Sequence, residues 1–386
     1  MDLVARSILA ALRFDQPGPL DVADWNAALD FADRAQLTPL LARLDLPPAA
    51  RVRVDGALAH NALRAERMAA AYAEIAPLFD HVVLKGSTHV PDFVPETRYR
   101  VQYDLDLYVP RPEIPKAGEA LRALGYEPIA TWKDVDHLPT LVRKTGWEWR
   151  GDYFDPDMPI SVEVHFRFWD PQSLQLRAEG VEEFWNRRCG TRLDPVDVLG
   201  YAALHLTRHL LRGNARPAHV WEIANFLHTH HDSTFWTRWR ELHSPSVRRL
   251  EAVAFLLARS WFGCALPPAA AAEIDALPPR ARLWFDDYAW APVESMFRPH
   301  KHELWLHAAL CESAGDRARV IRRRLLPFSP PGAVDAIFIP EERMTLVRRL
   351  KKHARYAAFT AGRMWHHARL LFPTLWEGFT WWRRSQ

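Results

Sequence analysis

Cysteine is scarce in this chain: three in 386 residues, Cys189, Cys264 and Cys311, far apart and without CxxC spacing. That excludes a disulfide framework and a structural zinc site and fits a reducing compartment. Long hydrophobic runs are also missing. No stretch reaches the roughly 18 uninterrupted apolar residues of a membrane span, and the N-terminal apolar run lacks the small-residue cleavage pattern of a signal peptide. The chain therefore reads as soluble and cytoplasmic. Charge of one sign is lacking as well, because a formal net charge of +3 does not announce a nucleic-acid binder. No internal repeat is visible. What is abundant is tryptophan, 17 residues, and proline, 30 residues. The first predicts large aromatic cores whose indole N–H groups need partners. The second predicts linkers and helix starts. With 48% hydrophobic residues the chain can bury two cores.

Periodicity divides the chain. Residues 4–13, 21–35 and 57–79 read as helices, the second with Asp21 as N-cap and the third with Leu63, Met68, Tyr72, Ile75 and Leu78 near one face. The period then changes. Residues 81–84 and 105–109 read as strands, 112–124 as a helix with Pro112 near its start and Gly125 at its end. Residues 143–150 and 160–168 read as a hairpin around a turn-rich GDYFDPDMP. From Asp194 onward the pattern is helical again: 195–212, 219–230, 246–262, 281–291, 303–324 and 341–371. The break at Ser329-Pro-Pro-Gly sets off the last of these. The expectation is an α+β chain: a helical lead-in over 1–80, a small mixed-sheet domain with flanking helices over 81–190, a mainly helical domain over 191–328, and a basic, Trp-rich helical segment over 329–386.

The stretch VQYDLDLYVP, residues 101–110, carries the most chemical information. Asp104 and Asp106 share one face of a strand whose other face is apolar. On its own this pattern suits a half-solvated edge strand. Where burial forces two carboxylates together, a divalent cation is the least costly resolution. Two further elements join it. Lys85-Gly86-Ser87 follows the first strand, and a glycine there lets the backbone approach a phosphate while Ser87 adds a hydroxyl and an N–H. Val162-Glu163-Val164-His165 lies on a later strand and puts Glu163 and His165 on one face.

In this order the elements resemble the DNA polymerase β-like nucleotidyltransferases. They are most similar to an uncharacterised bacterial nucleotidyltransferase family, through Lys85-Gly86, Arg100, Asp104-Leu-Asp106-Leu-Tyr-Val109, Gly125-Tyr126 and Glu163-Val-His165-Phe166. A helical Leu204-His205 followed by His209 extends the likeness, which is carried by residues 81–230. The 18 positions from Gly86 to Asp104 exceed the spacing in many superfamily members. The resemblance implies Asp104, Asp106 and Glu163 as catalytic residues and as ligands of Mg2+, with Mn2+ as the alternative. It implies Lys85, Gly86, Ser87, Arg100 and His165 in nucleotide binding, and an NTP, ATP first, as co-substrate. An NMP group would pass to a hydroxyl or amine of a small molecule, protein or RNA end, with pyrophosphate release. A degenerate, non-catalytic nucleotide- or RNA-binding module and a partner-binding maturation protein are the alternative readings.

Several features carry a plainer explanation beside the functional one. His165 fits a cross-strand hydrogen bond that orients Glu163 better than direct metal ligation. His205 and His209, spaced i, i+4, suit a zinc pair but lack an obvious third ligand. Asp152, Asp155 and Asp157 read as turn formers rather than a calcium loop. The tail interleaves Arg348, Arg349, Lys351, Lys352, Arg355, Arg363, Arg369, Arg383 and Arg384 with Trp365, Trp376, Trp381 and Trp382. A solvated face, a membrane surface, a nucleic-acid backbone and a protein partner all remain open for it.

Overall fold

A computed structural model describes residues 3–18, 20–129, 137–326 and 345–384. The Ser329-Pro-Pro-Gly break and the start of the predicted 341–371 helix lie outside the described residues. The chain is α+β. Helices α1 (Leu3–Ala11), α2 (Trp25–Ala35) and α3 (Pro48–Ile75) lead in. The N-cap of α2 is Asp24, not Asp21: its carboxylate accepts from the N–H groups of Asn26 and Ala27. Helix α3 begins nine residues earlier than its alanine run suggests, at a Pro-Pro start. Its buried stripe runs through Val54, Asn61, Arg64, Met68 and Ile75, while Leu63 faces out.

The sheet has five strands: β1 (Val82–Val83), β2 (Asp104–Tyr108), β3 (Glu127–Pro128), β4 (Leu141–Val142) and β5 (Ser161–His165), in the order β1-β2-β5-β4-β3. Among the described strands β2 and β5 pair parallel and the other pairs are antiparallel. The expected strand over 143–150 does not form; β4 lies just before it, at Leu141–Val142, and pairs antiparallel with β5 across a long connection rather than a tight hairpin. Leu105, Leu107, Val162 and Val164 bury one face of the central pair against α3 and helix α4 (Ile114–Ala123). Period-2 alternation then leaves Asp104, Asp106, Glu163 and His165 together on the other face.

Helices α5 (Pro195–Arg212), α6 (Pro217–Thr229), α7 (Ser233–Leu242), α8 (Pro245–Phe262), α9 (Pro268–Asp275), α10 (Pro279–Tyr288), α11 (Glu303–Leu310) and α12 (Ala314–Leu325) follow. Asp194 and Ser244 cap α5 and α8, and both helices end on a left-handed glycine, Gly213 and Gly263. Helix α8 is the hub, with Leu250, Val253, Leu257 and Trp261 buried against α5, α6 and α9. The expected single helix over 303–324 is two, divided at Cys311–Ser313, where Ser313 caps α12. The last helix, α13 (Leu346–Arg384), is 39 residues long. Among the described residues no helix is long and apolar enough to cross a membrane.

Candidate active site

Register decides the site. Asp106 on β2 pairs with Glu163 on β5, and Tyr108 with His165, so four polar side chains from two adjacent strands share one surface. His165 Nε2 lies 3.1 Å from Asp106 Oδ1 and 3.6 Å from Glu163 Oε2. Thr140 donates to Glu163 Oε1 at 2.9 Å from the segment entering β4. Lys85, at the end of β1, puts its ammonium 3.0 Å from Asp106 Oδ2 and 3.6 Å from Asp104 Oδ1. Asp106 and His165 are buried, whereas Asp104 and Glu163 keep partial access to solvent.

Burial opposes ionisation here, and the neighbours overcome it. Desolvation would raise Glu163, but the hydrogen bond with His165 brings its carboxyl down to about 2. Asp106 is likewise held below its ordinary range, against desolvation, by Lys85 and His165. Desolvation would lower Lys85, but Asp104, Asp106 and Glu163 raise it. Three carboxylates therefore face one ammonium. The donor atoms of Asp106, Glu163 and His165 all lie within 4.8 Å of one another. Surplus negative charge and convergent oxygens fit a hard divalent cation. Asp104 stands just outside that trio, on the far side of Lys85.

Gly86 opens a single 3-10 turn, Gly86–His89, with φ +85°, a conformation that L side chains rarely adopt. A Cβ there would collide with the Gln102 side chain, which itself donates to the Asp104 carbonyl at 2.8 Å. The exposed Ser87 follows, and Lys85, Gly86, Ser87 and Arg100 line one side of a cleft of about 460 Å3 beside α3. Arg100 is not at the surface. It is buried, with Nε 3.2 Å from Glu222 Oε1 on α6. The other oxygen of Glu222 takes His89 Nδ1 at 2.8 Å. Lys85, Arg100, His205 and His219 meet around a cavity of about 10 Å3, room for roughly one water. His205 thus reaches the back of the site, with His209 3.1 Å behind it. Burial and nearby cations, Arg208 and Lys85 among them, keep both imidazoles neutral, His209 down at about 3.

Three contributors escaped the sequence. Arg64 donates to the carbonyls of Gln102, Tyr103 and Met158, and Asn61 to those of Arg98 and Arg100, so α3 fixes the chain leading into β2. Glu222 anchors Arg100. A polar residue repeated on the core stripe of α3 was the available signal for the first two; for Glu222, with its partners more than a hundred residues away, there was none. Asp155 behaves as expected, accepting from the Asp157 N–H within a turn.

Residues 21–263 match a family described as an uncharacterised nucleotidyltransferase. The match begins inside the helical lead-in and runs to the end of α8, beyond the segment that carries the motifs. No curated protein and no solved structure matches the chain.

Proposed function

The chain belongs to this nucleotidyltransferase family, and on that premise we propose that it moves an NMP group from an NTP, ATP first, to a hydroxyl or amine acceptor. The acceptor atom bonds to the α-phosphorus, the bond from that phosphorus to the β-phosphate breaks, pyrophosphate leaves and the acceptor proton passes to solvent. One observation carries this reading: three carboxylates on adjacent parallel strands, with Asp106 opposite Glu163, outnumber the single ammonium among them. Asp104, Asp106 and Glu163 would hold Mg2+ or Mn2+. The bound ion would supply neutralisation of the triphosphate and a lower pKa for the acceptor hydroxyl. His165 orients the Asp106 and Glu163 carboxylates. Lys85, freed from Asp106 once a cation takes its place, would stabilise charge growing on phosphate oxygens. Gly86 and Ser87 would bring backbone N–H groups to a phosphate. Arg100, fixed by Glu222, keeps positive potential behind Lys85. In this reading residues 81–190 carry the chemistry and the helices of 191–328 wall the acceptor side.

The test is pyrophosphate release or self-labelling with each labelled NTP and Mg2+ or Mn2+, in the wild type and in Asp106→Ala and Glu163→Gln. The expected result is metal-dependent turnover that falls by about a thousandfold or more in both variants. Turnover that survives the substitutions removes the mechanism. Nucleotide binding without turnover, across a broad acceptor panel, favours the non-catalytic module, in which the Lys85 ammonium between the aspartates is permanent.

A further inference from the structure

Helix α13 is anchored to the body through its C-terminal half, and an ion pair, Arg348 to Glu148 at 4.0 Å, lies nearer its start. Trp381 is fully buried, the Trp305 ring leaves no space for a side chain at Gly378, and His367 bonds the Leu325 carbonyl at 2.7 Å. Glu377 lies 3.4 Å from His302 Nδ1, and Arg384 adds an ion pair to Asp287. The anchored side of the helix is thus the one bearing His367, Thr374, Gly378 and Trp381.

A different side is apolar. At about 100° per residue, Leu350, Met364, Trp365, Phe372, Leu375 and Trp376 fall within about one third of the circumference. The positions between them in that sector are alanines, and no charged residue enters it before Arg383. Up to Trp376 the sector is exposed, with Trp365 at 72 %, Phe372 at 75 % and Leu346 at 74 %, while Trp382 at its far end is half-buried against the body. At about 1.5 Å per residue the helix is roughly 58 Å long. The remaining face is basic. The helix carries nine lysines and arginines against one acid, Glu377; eight of them lie outside the apolar sector, and Lys351 and Arg369 sit at its edge, where long side chains reach past apolar atoms to anionic groups.

We propose that α13 is a membrane-surface helix whose occupant is an anionic phospholipid bilayer. The apolar third would enter the headgroup–acyl boundary and the basic flanks would pair with lipid phosphates. Charge decides among the occupants. A second copy laid on the same face would bring the Lys351 and Arg369 flanks of two basic helices together. A polynucleotide would neutralise the basic face and leave the Leu, Met, Phe and Trp sector in water. An anionic bilayer satisfies both faces at once. Because the anchor is on a third side, the protein can dock without unfolding that contact, and it needs no spanning segment. This inference does not rest on the nucleotidyltransferase reading.

The test is co-sedimentation of the full chain with vesicles of phosphatidylcholine alone and with about one third phosphatidylglycerol. Binding is expected only to the second, weakened by raised salt, and reduced about tenfold or more in Trp365→Asp and Phe372→Asp. Both positions are exposed, so the melting temperature should not move. Should either variant fold poorly, Lys351→Glu with Arg369→Glu leaves the apolar sector intact and should weaken binding to the anionic vesicles. Four results overturn the proposal: no binding to either vesicle, equal binding by all variants, self-association abolished by Trp365→Asp, or RNA binding in the absence of vesicle binding.

Discussion

Two of the buried ionic clusters among the described residues are built to opposite rules. In the helical region His243 bridges Asp197, at 3.1 Å, and Glu251, at 2.9 Å, while Arg187 grips Asp197 with two hydrogen bonds of 2.9 and 2.7 Å. Trp239 donates its indole N–H to Glu251. His243, Asp197 and Glu251 have no exposure at all. Two cations match two anions, and both anions are fully buried, with only Arg187 of the four keeping partial access to solvent. In the sheet, Asp104, Asp106 and Glu163 outnumber Lys85, and Asp104 and Glu163 stay partly open to solvent. A balanced, closed cluster ties helices together. An unbalanced, half-open one has capacity left for a cation and a substrate. Similar residue types thus serve packing in one place and suit chemistry in the other, and charge count and access separate them.

The sharpest way to break the comparison is to remove one cation-bearing or anion-bearing group from each cluster. His243→Ala leaves Asp197 and Glu251 buried without their bridge and should cost about 3–5 kcal/mol in urea unfolding. Asp106→Asn removes a carboxylate that Lys85 and His165 favour, but Asp104 and Glu163 still face that ammonium, so its cost should be smaller, about 1–2 kcal/mol, while turnover is lost. If Asp106→Asn proves the more destabilising, the sheet cluster is structural and the contrast fails.

pH separates the clusters next. Burial alone would lower His243, but Glu251 and Asp197 carry it up to about 9 from 6.5. A raised cationic group stabilises fully below its unfolded value and loses that contribution as pH rises through its folded one. Stability should therefore decline between about pH 7 and pH 10 by a few kcal/mol, and a His243→Gln protein should lack that decline. Glu163 works the other way. Its contribution is present above its unfolded value of 4.5 and is lost as pH falls toward about 2. Thermal melts across both ranges check the two signs.

The smallest expected effect concerns the backbone beside the site. Gly86→Ala forces a left-handed conformation and pushes on Gln102, so a loss of about 1–2 kcal/mol of stability is expected. A larger fall in turnover than in stability would mark Gly86 as serving the substrate. A fall in stability alone would reduce it to a turn residue.

How much of this was legible beforehand follows from the range of each interaction. The strand pattern around Asp104 and Asp106, the Glu163–His165 pair, and the capped helices at 195–212 and 246–262 all depend on neighbours within a few positions, and they were read correctly as elements. The helix start at Pro48, the displaced strand at Leu141–Val142, and the division of 303–324 depend on packing or on a local cap at Ser313 that competed with helical periodicity. Arg64 and Asn61 bond to backbone acceptors 37 to 94 positions away, which local periodicity does not report.

Local alternation by itself determined that the acids would share a strand face, because successive side chains in an extended chain must point to opposite sides. Only the tertiary structure decided that β2 and β5 lie side by side in a register that sets Asp106 against Glu163, that Lys85 bridges the aspartates, and that Glu222 holds Arg100 behind them. Those facts depend on desolvation and on charges brought together from distant parts of the chain, which no short window of residues can encode.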